Sequence, residues 1–166
     1  MSAIPFEDIM FTIMSATQDT FKSYMNIELL AGKVEKKVEP VDSDVTGIVG
    51  IAGDRVGYII IATDKASAQR IAKELLMVDE ADDECIRDTM GELANNIAGS
   101  FKTKYHEQYG SVALGLPLVV SGQLQAISDP PGSADQTSSI NVQCKGVTIP
   151  FRTADGSISL SVMVYM

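Results

Sequence analysis

Between Pro5 and Tyr24, Ile9, Met10, Ile13, Met14, Phe21 and Tyr24 recur at three- and four-residue spacing, the period of a helix with one buried face. Pro5 stands near the start, where a missing N–H costs nothing. Ile27 to Val38 is mixed in pattern. Val45 to Ile51 and Arg55 to Ala62, rich in Val, Ile and Tyr around Gly53-Asp54, predict a hairpin. Thr63-Asp64 supplies a cap for a short helix over Lys65 to Met77, with Ala68, Ile71, Ala72 and Leu75 as its buried stripe.

An acidic connector, Asp79 to Asp83, leads into the longest helical pattern, Glu84 to Tyr105, whose apolar stripe is Ile86, Met90, Leu93, Ile97 and Phe101. The remainder reads as extended. Val112 to Ala126 holds a Val-Val pair and Pro117, which belongs at an edge or at the start of a strand. Ser128 to Ser139, with Pro130-Pro131-Gly132, predicts a surface loop. Ile140 to Arg152, broken near Lys145-Gly146, and Ser157 to Tyr165, alternating through Ile158, Leu160, Val162 and Val164, predict two closing strands. The fold class is α+β, with helices packed on one face of a mostly antiparallel sheet. A helix followed by strands occurs before Leu76 and again after Glu84, which hints at an internal duplication.

Length changes the picture little: 166 residues suit one domain over 1–166. Charge narrows the partner class. A net charge of −9 disfavours nucleic acid and anionic lipid, which need clustered Lys and Arg. An acidic protein can still recognise a basic or mixed patch on another protein. No apolar run approaches the ~20 residues of a membrane span, and Met1 to Met10 includes Glu7 and Asp8 and lacks a secretory pattern. Cys85 and Cys144 lie far apart with no CxxC partner, and one His leaves too few soft ligands for zinc. A cytoplasmic protein with reduced thiols is expected.

The common catalytic sets are missing. His106 has no Ser or Cys neighbour in sequence to activate, neither Cys is followed five residues later by Arg, and there is no GxxxxGK[ST] loop. What stands out is a polar row in the longest helix, Asp88, Glu92 and Asn95, spaced by four and three residues and so projecting from one face. Gly91 and Gly99 lie in the same helix. Each costs roughly 1 kcal/mol relative to Ala, and close approach of another backbone is the simplest reason to keep them.

Gly91-Glu92-Leu93-Ala94-Asn95 and the following Ala98-Gly99 resemble the helix motif of the CheC/CheX/FliY chemotaxis phosphatases: Asp or Ser, three residues, Glu, two residues, Asn. The first helix, the hairpin through Gly50 to Ile60, and Pro117-Leu-Val-Val-Ser121-Gly122 follow in the family's order, so the resemblance spans essentially the whole chain. It implies a CheC-like fold and a phosphatase acting on the aspartyl phosphate of a CheY-like receiver domain. Asn95 would position the attacking water, Glu92 would bond a lysine of the receiver, and Asp88 would support docking. No cofactor of the protein's own is implied; magnesium is expected on the receiver. Two-site members repeat Glu-x-x-Asn in the first helix, whereas Glu7 to Tyr24 here contains no Asn. That is the single-site CheX pattern, and with it comes a homodimer formed by pairing or exchanging strands.

Plainer readings stand beside these. A polar pair at this spacing is in most proteins a solvated helix face, and Asp88 could be an ordinary surface acid. Asn96 lies about 100° round the helix from Asn95 and is read as incidental. His106 shares the face of Glu92 but sits about 21 Å along the axis. Cys85 is read as a small buried or half-buried thiol. Two other functions fit the fold: a non-catalytic binding module, such as a flagellar switch component or response-regulator adaptor, and an oligomeric structural domain.

Overall fold

A computed structural model describes residues 4–37, 41–124 and 146–166. Its order is α1 (Phe6–Met25), β1 (Leu30–Ala31), β2 (Val41–Gly53), β3 (Gly57–Thr63), α2 (Lys65–Leu76), α3 (Asp83–Tyr109), β4 (Val112–Leu114), β5 (Leu118–Leu124), β6 (Gly146–Arg152) and β7 (Ser159–Tyr165). The expected α+β class is observed: the described residues form three helices and a seven-stranded sheet, antiparallel at every pairing. The segment Ser128 to Ser139 and Cys144 lie outside the described residues.

Local chemistry sets the helix ends. Asp64 caps α2 by accepting a hydrogen bond from Ser67 N at 2.7 Å, and Asp82 caps α3 by accepting one from Cys85 N at 2.8 Å. Asp83 and Glu84 then occupy the first turn of α3, where negative charge suits the helix dipole. The end of the predicted acidic connector is therefore the cap and first turn of the helix. α1 closes on Asn26 in the left-handed conformation, φ 52°.

Strand register separates the two faces of the sheet. Val119, Gly47, Ile61, Val162 and Ile149 pair in one row across five strands. Ile61, Val162 and Ile149 in that row are fully buried beneath the helices. One position along, Leu118, Ile48, Ile60, Met163 and Thr148 form a row on the opposite face. There Leu118 stays 58% exposed.

Strand order runs β1-β6-β7-β3-β2-β4, with β5 also on β2. Two hairpins, β2-β3 and β6-β7, meet through their second strands at the β3-β7 pairing. Each hairpin is flanked by a strand from the other half: β1 beside β6, and β4 and β5 beside β2. α1 packs on β6 and β7 while α3 packs on β2 and β3. The topology thus carries the two-fold repetition hinted at by the element order.

Gly47 positions the central helix. A Cβ there would lie 3.0 Å from Ala94 Cβ and 3.2 Å from the Met90 backbone oxygen. α3 rests almost directly on β2 because that side chain is missing. The stripe Ile86, Met90, Leu93, Ile97 and Phe101 is buried as expected; truncating a residue such as Phe101 to Ala costs about 3–5 kcal/mol. Tyr24 departs from its expected place in the buried stripe of α1 and is 57% exposed.

Candidate functional site

α3 presents its outer face as a polar line. Asp88, Glu92 and Asn95 are all exposed, while Thr89, Met90, Leu93 and Ala94 between them are buried. Neighbours three or four apart on a helix have Cβ atoms about 5–6 Å apart, so the Glu92 carboxylate and the Asn95 carboxamide can reach one small group together. None of Asp88, Glu92 and Asn95 has a hydrogen-bond or ion-pair partner among the described residues. Their polar atoms are left to solvent or to another molecule.

α1 runs antiparallel beside α3 and forms a second wall. A groove of about 340 Å³ lies between them, with Asn95, Asn96 and Gly99 on one side and Thr20, Ser23 and Tyr24 on the other. Asn96 therefore joins the same groove as Asn95, which its angular offset alone does not suggest. Lys104 Nζ bridges to Asp19 Oδ2 at 2.7 Å along this groove. At the far end of the helix pair Tyr109 donates to Asp8, and that hydrogen bond, with a smaller contribution from burial, pushes the tyrosine pKa up to about 12.

The two glycines of α3 differ. A Cβ at Gly91 would make ordinary contact with Val119 Cγ2 at 3.5 Å, whereas one at Gly99 would meet nothing within 4 Å among the described residues. Close approach of another described backbone explains neither. Cys85 is a half-buried free thiol, and His106 is exposed far along α3 from Glu92. A larger cleft, about 670 Å³, lies around Thr63, Asp64, Arg152 and Ser161 and includes none of the three polar-row residues. Among the described residues no group of three or more His, Cys, Asp or Glu side chains could hold a metal ion. No helix there is long and apolar enough to cross a membrane.

Sequence reasoning missed Tyr24 and Asp19 as lining of the groove that holds Asn95, and Lys104 as the partner of Asp19. Their signal is spatial, since it arises only when α1 lies beside α3.

Residues 45–152 match the family described as chemotaxis phosphatase CheX. The chain belongs to the CheX family. No curated protein matches the sequence. Among solved structures, the chemotaxis protein CheX from Desulfovibrio desulfuricans is 22% identical with a TM-score of 0.78, covering 95% of this chain and 99% of that one. CheX in the CheX-CheY-BeF3-Mg complex from Borrelia burgdorferi is 25% identical, with a TM-score of 0.73 over 95% of this chain and 96% of that chain. FliY from Thermotoga maritima shares the fold more distantly, at 18% identity and a TM-score of 0.59, covering 99% of this chain and 91% of that one. The polar row of α3 falls inside the segment that defines this CheX chain.

Proposed function

We propose that this chain hydrolyses the aspartyl phosphate of a CheY-like receiver domain and so ends a chemotaxis or other two-component signal. The carrying observation is the pair Glu92 and Asn95, exposed on one face of α3 and without partners among the described residues. Family membership supports the reaction class, and the Borrelia burgdorferi relative crystallised with CheY supports the partner.

The chemistry needs little from the protein. A water oxygen bonds to phosphorus as the bond from phosphorus to the aspartyl oxygen breaks. Inorganic phosphate and the free carboxylate result, with the water's proton leaving on the phosphate. Positioning and charge balance dominate such transfers. Asn95 accepts a hydrogen bond from the water through its carboxamide oxygen and holds it in line, and being neutral it adds no repulsion beside the phosphoryl oxygens. Glu92 bonds a lysine of the receiver, and Asp88 supports docking. Magnesium belongs to the receiver.

The reading includes a cytoplasmic homodimer with one site per chain. Its support is Leu118, exposed beside half-buried Ile48 on the open face of the sheet, and the position of β5, paired only with β2 among the described residues. Such an edge can add a strand from a second copy.

Acyl-phosphate loss from receivers, followed with wild type, Glu92→Ala and Asn95→Ala, tests the assignment. Asn95→Ala should slow the catalysed rate by roughly 100-fold, the size of loss that misplaced reactants bring. Unchanged decay on every receiver of the source organism would reject the phosphatase. A non-catalytic module would instead bind the phosphorylated receiver without hastening its decay.

A further inference from the structure

We propose that the groove between α1 and α3 seats the receiver's main chain beside its phosphorylated aspartate, with Gly99 admitting that segment and Tyr24 packing against it. The inference rests on the phosphatase reading above.

Asn95 lines this groove, so a molecule that brings a phosphoryl group to its carboxamide must lie across the groove mouth. Gly99 stands one turn further along the same helix face. The described fold does not ask for glycine, because a Cβ would meet no atom of the described residues within 4 Å. Gly47 shows the contrast: there the space is taken, by Ala94 and Met90. A helix position that forgoes a better helix former, with open space above it and the reactive amide beside it, suits close approach of a foreign backbone.

The opposite wall agrees. Tyr24, in the last turn of α1, stands on the groove with 57% of its surface exposed, a rigid aromatic of the kind that anchors protein contacts. Further along, Asp19 and Lys104 neutralise one another. Apart from Asp19 the groove lining is uncharged, and Ser23, Tyr24, Asn96 and Ser100 offer hydroxyl and amide groups. Those groups match peptide N–H and C=O better than a charged side chain.

The test uses a purified CheY-like receiver charged with acetyl phosphate and freed of excess donor. Rates of phosphate loss are measured against receiver concentration, alongside thermal unfolding, for wild type, Asn95→Ala, Gly99→Ala, Gly99→Leu and Tyr24→Ala. Gly99→Leu and Tyr24→Ala should each raise KM by about tenfold, the effect of losing one good anchor, with kcat kept. Gly99→Ala should raise the unfolding midpoint while also raising KM, a combination that a merely structural glycine does not give. If wild type is active, Asn95→Ala is inactive and the other variants keep the wild-type KM, the groove assignment is overturned and the phosphatase reading stands. A fall in kcat alone at Gly99 also overturns it. If wild type hastens no receiver's decay, both readings fall together.

Discussion

Lys104 Nζ lies 2.7 Å from Asp19 Oδ2, tying the helix of Glu92 and Asn95 to α1 across the groove. The side chains are 32% and 58% exposed, so solvent screens the pair and its contribution is at most about 1 kcal/mol. Lys104→Met should therefore lower stability by less than about 1 kcal/mol. Denaturant unfolding at low and high salt checks this, since the difference from wild type should shrink as salt screens the pair.

Gly47 should resist enlargement. A side chain there presses on Ala94 Cβ and the Met90 carbonyl, and overpacking of this kind costs about 1–3 kcal/mol. Gly47→Val is expected to unfold at lower urea. Adding Ala94→Gly should make the double variant less unstable than the sum of the single changes, a coupling that independent sites would lack.

Thr89 sits in α3 at 1% exposure, and its hydroxyl has no hydrogen-bond partner among the described residues. Valine has the same shape and no polar atom to desolvate. Thr89→Val should stabilise the protein by about 1 kcal/mol, read as a higher thermal midpoint. A lower midpoint would mean that the hydroxyl is satisfied in solution.

Tyr109 gives the α1–α3 contact a pH limit. Its folded pKa is raised from 10.0 to about 12, chiefly by the hydrogen bond to Asp8. The raised value means that the folded state holds the phenolic proton more tightly. The contribution is complete below pH 10 and disappears as pH rises toward about 12. Unfolding of wild type and Tyr109→Phe across that window should show a steeper loss in the wild type. Equal slopes would show that the hydrogen bond does not govern the titration.

The helices, the β2-β3 hairpin and the polar row were legible because each is encoded by neighbours in sequence. Helical period places Glu92 and Asn95 together whatever surrounds them. Tyr24 differs for a related reason: its spacing from Phe21 fits a buried stripe, yet Phe21 and Met25 are the residues buried at this end of α1 and Tyr24 lines the groove toward α3. β1 escaped notice because Leu30–Ala31 is too short to show an alternating pattern; its pairing with Phe151 and Arg152 comes from the far end of the chain. Val112 to Ala126 was read as one extended stretch, but Gly115, Leu116 and Pro117 separate β4 from β5. Partner choice between strands, and the Asp19–Lys104 bridge with it, is a property of the folded arrangement.

From either edge the sheet runs through flanking strand, β1 on one side and β4 with β5 on the other, and then a hairpin, until the two halves join at β3 and β7. Each half also begins with a long helix, yet only α3 carries the Glu-x-x-Asn pair. α1 has the same place in its half without that pair, and stands as a wall beside its counterpart. The matching position is vacant: a second Glu-x-x-Asn pair could be placed on α1 by side-chain replacement alone, with every strand pairing preserved.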